Sequence, residues 1–129
     1  MLEPLVSIII PTYNRAELLK RAIQSCLDQT YKNIQVVVVD DASEDNTPEI
    51  VQRFKDSRIK YIRLPKNSGR PAVPRNIGIL NSDGEVIAFL DSDDYFLPEK
   101  IEKQVRALTN SEEIGLVYCD ALIETEDKK

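Results

Sequence analysis

Apolar and polar positions alternate in blocks along the chain, and the block lengths are those of strands and helices in turn. "VSIII" (Val6 to Ile10) and "IQVVVVD" (Ile34 to Asp40) are continuous β-branched runs, the pattern of strands covered on both faces of a parallel sheet. "IKYIRL" (Ile59 to Leu64) alternates, which predicts a strand nearer an edge, and "EVIAFLD" predicts another. Between the first two runs, Leu18, Leu19, Ala22, Ile23, Cys26 and Leu27 recur at helical spacing. Asn14, with Glu17 three positions on, is placed to start that helix as a capping box. Thr47 followed by Pro48 predicts an N-cap and first helical residue, with Ile50, Val51 and Phe54 as the apolar face. A short helix through Ile77 and Leu80 follows the Gly/Pro loop "PKNSGRPAVPRN". A further helix opens at Pro98 and carries Ile101, Val105 and Leu108. "IGLVYCDALIE" predicts a last strand, and "TEDKK" a polar tail.

Strands alternating with helices through short loops predict a three-layer α/β/α sandwich around a mostly parallel sheet. In such sheets ligands bind beyond the carboxyl ends of the strands. "PTYN", "DDASEDN" and "DSDDY" all fall there. The 129 residues suit one domain, 1–129, and no apolar run is long enough to span a bilayer. The start, "MLEPLVSIII", lacks the basic opening and cleavage site of a secretory signal. Cys26 and Cys119 lie far apart without CxxC spacing and read as reduced core thiols of an intracellular protein.

Charge narrows the chemistry. With 17 basic and 22 acidic residues the net charge is −5, which disfavours nucleic acid as a partner. Histidine is absent, so the commonest base near neutral pH and the commonest zinc ligand are missing. A base must then be a carboxylate or lysine, and a metal a hard cation held by oxygen.

The acids of "FLDSDDYFLP" are the main candidates. Asp91, Asp93 and Asp94 follow an apolar strand within four positions, and their repulsion demands a cation, a donor cluster or water. Asp91 and Asp93, two positions apart, can converge on one divalent ion, which would bridge to a diphosphate. A solvated turn is the plainer alternative; the position on the ligand edge of the sheet favours a site. Asp40 and Asp41 fit equally a contact to a nucleobase or an Asx turn. In "PTYN", Tyr13 could stack on a base, while Thr12 and Asn14 could cap the helix. Arg75 suits a diphosphate. Neither GxGxxG nor the P-loop lysine pattern is present.

Taken in order, "VSIIIPTYNRAELLKRAIQSCLDQTYKNIQVVVVDDASEDNT", "RNIGI" and "GEVIAFLDSDD" resemble the nucleotide-binding half of glycosyltransferase family 2, inverting enzymes of the GT-A (Rossmann-like) fold. The resemblance runs from Val6 to about Tyr118. It implies that Pro11, Thr12, Tyr13, Asn14 and Asp41 hold the base and ribose of a nucleotide-sugar, commonly a UDP-sugar. Asp91 and Asp93 match the family's DxD motif around Ser92. Asp93 would ligate Mn²⁺ or Mg²⁺ on the diphosphate, with Asp91 near the ribose or sugar and Arg75 near the diphosphate. The loop "NSGRPAVPRN" departs from the usual form by one extra residue and by Pro74.

The family's general base, a carboxylate in an "ED"-type motif, lies well downstream of DxD and is expected beyond Lys129. Glu112 and Glu113, in a loop, are not assigned that role. The resemblance therefore implies a donor-binding half truncated before the acceptor-binding half, binding donor without itself transferring sugar to an acceptor hydroxyl. It further implies polysaccharide biosynthesis and a cytoplasmic location, with any membrane attachment left to the missing part. Two other classes stay in view. A haloacid-dehalogenase-like phosphatase also uses DxD after a strand, but Tyr95 occupies its Thr/Val position and too little sequence follows. A receiver domain needs an acidic pair where this chain has "PTYN", and a non-catalytic binding module fits the missing base.

Overall fold

The computed structural model describes residues 3–125. Its elements run β1 (Val6–Thr12), α1 (Ala16–Leu27), β2 (Ile34–Asp40), α2 (Thr47–Gln52), β3 (Ile59–Arg63), α3 (Ala72–Leu80), β4 (Val86–Phe89) and α4 (Lys100–Thr109). The four strands pair in parallel in the order β3-β2-β1-β4. The two uninterrupted β-branched runs therefore take the centre, and the alternating "IKYIR" takes an edge, as its pattern requires.

Alternate side chains of β1 enter different cores. Ile8 and Ile10 pack with Leu19, Ile23 and Cys26 of α1 and with Ile101 and Val105 of α4. Ile9 joins Val37 and Val39 on the other face, against Ile77 of α3. Two covered faces make the three-layer sandwich. Gly78 permits the α3 contact: a Cβ there would come 2.5 Å from Ile9 Cγ2. Burial of Cys26 pushes its thiol up to about 12, so it behaves as a small apolar core residue.

Several local expectations need correction, among them the helix expected to open at Pro98, which begins at Lys100 with Glu99 as its N-cap. Asn14 does not cap α1. It takes a left-handed turn (φ 51), Arg15 becomes the N-cap, and the free amide of Ala16 donates instead to Asp45 Oδ2 at 3.2 Å. The start of α2 is shifted by one, with Asn46 at the N-cap and Thr47 and Pro48 already helical. "IGLVYCDALIE" forms no strand. Leu116, Tyr118, Leu122 and Ile123 are 82% to 88% exposed. The sheet's hydrogen-bonded order ends at β4; the segment does not join that open edge, and its apolar side chains are left uncovered. Cys119 is accordingly exposed rather than in the core. The last four positions of the polar tail lie outside the described residues. Among the described residues no helix is long and apolar enough to cross a membrane.

Candidate functional site

Parallel strands bring the ends of β1, β2 and β4 to one edge, and a cavity of about 490 Å³ opens there. Its volume is in the range of small-molecule sites. Pro11, Thr12 and Tyr13 come from the end of β1, Asp41 from the end of β2, and Asp91, Ser92 and Asp93 from beyond β4. Arg75 reaches in from α3. The candidates from four separate stretches thus share one cavity. Asn14 stands apart from its lining: its amide N–H donates to Ser43 Oγ (2.9 Å) and its Oδ1 accepts from Glu44 N–H (2.8 Å), tying the β1 loop to the β2 loop.

The β2 acids are engaged internally. Asp40 is fully buried and accepts from the Tyr61 hydroxyl, from Arg63 Nη1 (3.1 Å) and from Ser43 N–H (2.9 Å). Burial first, and then the Asp40 carboxylate, raise the Tyr61 phenol. Asp41 accepts from Ser68 N–H and Ser68 Oγ, each at 2.8 Å, while Asn67 Nδ2 donates to its carbonyl. Asp40 thus organises the turn, and Asp41 lines the cavity while pinning the opposite loop.

Beyond β4 the arrangement is open. Carboxylate oxygens of Asp91, Asp93 and Asp94 lie within 4.8 Å of one another and all three residues are exposed. Asp91 Oδ1 pairs with Arg75 Nη2 at 2.7 Å, and Asp93 Oδ2 with Arg15 Nη1 at 2.6 Å. Loss of hydration, then the charges of Asp93 and Asp91, push the Asp94 carboxyl above its usual range. An all-oxygen, anionic donor set in a chain without histidine fits a hard divalent cation. The loop carrying these acids is fixed from α1 and the turn that follows it: Phe96 N–H donates to Ser25 Oγ (3.0 Å), and the buried Gln29 donates to Leu97 O (2.7 Å) and accepts from Ile101 N–H (3.0 Å).

One hydroxyl in the lining is unsatisfied. Thr12 Oγ1 is buried without a hydrogen-bond partner among the described residues, a condition a bound ligand relieves. Sequence reasoning missed Arg15, Asn67 and Arg70, which also line the cavity. Arg15 directly follows "PTYN" and carried the available signal, a cation on a strand-end loop; Asn67 and Arg70 lie in a loop whose path the sequence does not specify.

Residues 7–126 match the sequence profile of Glycosyl transferase family 2. An uncharacterised glycosyltransferase of Haemophilus influenzae is 41% identical over 91% of this chain and 49% of its own length. WfaP of Escherichia coli, a UDP-Glc:alpha-D-GlcNAc-diphosphoundecaprenol beta-1,3-glucosyltransferase, is 40% identical over 95% of this chain and 48% of its own. The chain thus spans about half the length of these relatives. Among solved structures, TarS of S. aureus in complex with UDP-GlcNAc superposes with TM-score 0.77 and 34% identity, covering 81% of this chain and 31% of TarS. The mannosyltransferase PcManGT of Pyrobaculum calidifontis, in complex with GDP-Man and Mn²⁺, gives TM-score 0.76 and 28% identity, covering 83% of this chain and 33% of its own. Neither comparison lends support to the phosphatase or receiver readings. With the family profile covering nearly the whole chain, a relative of known enzymatic name and GT-A neighbours among solved structures, the chain belongs to glycosyl transferase family 2 and has the GT-A fold.

Proposed function

We propose that this chain is the donor-binding half of a longer, metal-dependent, inverting glycosyltransferase, and that its cavity takes a nucleoside diphosphate-sugar with UDP as the nucleotide. The observation that carries the reading is the junction of the three strand-end loops in one cavity, with paired acids and arginines on its wall. UDP-GlcNAc in TarS and the UDP-Glc named for WfaP support uridine. The length of the relatives supports a further segment beyond this chain.

In this reading Tyr13 and Pro11 receive the base, Thr12 Oγ1 gains its missing partner, and Asp41 and Ser92 bind base or ribose. Asp91 and Asp93 hold Mn²⁺ or Mg²⁺, with Mn²⁺ in PcManGT as the supporting precedent. That ion would supply Lewis-acid stabilisation of the departing diphosphate. Arg75, on the cavity wall beside Asp91, would offer its guanidinium to the same phosphates as their charge develops. A carboxylate outside this chain would take the acceptor hydroxyl's proton for direct displacement at the anomeric carbon.

Calorimetric titration of UDP, GDP, CDP and ADP into the chain, with Mn²⁺ and again with EDTA, tests this. Metal-dependent binding strongest for UDP is expected. Equal binding of all four nucleotides in EDTA would contradict it.

A further inference from the structure

Two arginines occupy the carboxylates that the donor-site reading gives to a metal, and the following inference rests on that reading. Arg15 Nη1 is 2.6 Å from Asp93 Oδ2, and Arg75 Nη2 is 2.7 Å from Asp91 Oδ1. They approach from opposite layers of the sandwich, Arg15 from the start of α1 and Arg75 from α3. Each sets a positive charge against one member of the acidic cluster formed by Asp91, Asp93 and Asp94. A guanidinium at hydrogen-bond distance and a divalent cation need the same oxygen lone pairs, and they repel each other.

Arg15 is built to let go. Its main chain is pinned on both sides: Asn14 N–H donates to Ser43 Oγ at 2.9 Å, and Ala16 N–H to Asp45 Oδ2 at 3.2 Å. Its side chain is 48% exposed and lines the cavity. Moving it from Asp93 into the cavity therefore requires rotamer changes alone, which are fast. We propose that Arg15 is an exchangeable counter-ion of Asp93, which yields that carboxylate to a divalent cation and turns to the diphosphate of the donor.

The consequence is a coupling between metal and nucleotide that runs through a side chain, in addition to any direct metal–phosphate contact. In the nucleotide-free chain Arg15 opposes metal binding. Once a diphosphate is present, the displaced guanidinium has a new anion, and the opposition disappears. The site thus discriminates against a bare metal ion and in favour of a metal–nucleotide pair.

The magnitudes follow from exposure. A half-exposed ion pair is weak, so Arg15→Met should tighten Mn²⁺ binding to the nucleotide-free chain by about two- to fivefold. With Mn²⁺ saturating, the same variant should lose about tenfold in UDP affinity, as a charge-assisted bond to phosphate goes missing. Electron paramagnetic resonance of free Mn²⁺ reads the first quantity, and calorimetry with UDP the second. Arg70→Met removes an equal charge from the same cavity wall, where Arg70 makes no ion pair among the described residues; it should tighten Mn²⁺ less than Arg15→Met does. Unchanged or weaker Mn²⁺ binding in Arg15→Met would overturn the proposal, as would equal tightening in both variants. Asp93→Asn separates the two levels. If wild-type Mn²⁺ binding survives that change, the donor-site reading falls and this inference with it. If Mn²⁺ binding depends on Asp93 and Arg15→Met matches wild type, the inference alone falls.

Discussion

The ends of β2 and β4 are both crowded with aspartate, and they use it in opposite ways. After β2, Asp40 is buried with three hydrogen-bond donors on its carboxylate, and Asp45 holds the first amides of two helices. After β4, Asp91, Asp93 and Asp94 are exposed, and arginines are the charged partners of the first two. One set is spent on holding loops in place; the other, exposed and met by arginines, is the set to which the proposed function assigns a metal. The lesson is that an acid at a strand end becomes a candidate ligand through what its oxygens lack, and acidity alone does not distinguish the two.

The sharpest way to break the comparison is to remove one acid from each set. Asp40→Ala strips the acceptor from Tyr61, Arg63 and the Ser43 amide at a buried position. It should destabilise the fold by about 3–5 kcal/mol in urea denaturation. Asp94→Asn, at an exposed position crowded by like charge, should leave the unfolding midpoint unchanged or slightly raised. Comparable losses in the two variants would dissolve the distinction.

Next in size is the cavity's aromatic wall. Tyr13 is 43% exposed and lines the cavity, so Tyr13→Ala should cost about 1–3 kcal/mol in UDP binding through lost stacking with little change in stability. A drop in melting temperature without a change in affinity would move Tyr13 to the structural set.

Asp45 gives a smaller effect. It accepts from Ala16 N–H, Thr47 N–H and Thr47 Oγ1, and Asp45→Ala should cost about 1 kcal/mol, the usual worth of a helix cap. Donor affinity measured well below the melting temperature should hardly change.

The smallest effect is the pH dependence, which has opposite signs in the two sets. Loss of hydration works against the Asp45 carboxylate, but hydrogen bonds from Thr47 and Ala16 outweigh it and hold its pKa down. Its contribution to stability is therefore present above the unfolded pKa, about 3.9, and is lost as pH falls through the lower folded value. Asp94 has the raised pKa, so the folded state binds its proton more tightly, and stability falls as pH rises from the unfolded value through the folded one. Stability curves of Asp45→Ala and Asp94→Asn against wild type between pH 3 and 6 should deviate in opposite directions.

Much of this was legible because it depends on local pattern. The run "IQVVVV" could be covered only on both faces, and β2 lies at the sheet's interior. The alternation of "IKYIR" suited an edge, and β3 occupies one. The polar loops had to gather at one end once the strands were parallel, so Tyr13, Asp41, Arg75, Asp91 and Asp93 could be placed together. What escaped was set by partners distant in sequence. Asp45 caps α1 from 29 positions away, and nothing around Asn14 betrays the competitor. Arg15 meets Asp93 only because β1 and β4 are neighbours. "IGLVYCDALIE" has the composition of a strand, but composition cannot supply a layer to cover its apolar side chains, which stay exposed.

The central claim is tested most directly by UDP titration of Asp93→Asn beside wild type, in Mn²⁺, with melting curves taken on the same samples. The account predicts metal-dependent binding in wild type, its weakening by about ten- to a hundredfold in the variant, and superimposable melting curves. Undiminished UDP binding in a folded Asp93→Asn variant would contradict it and return the acids beyond β4 to the role of a solvated turn.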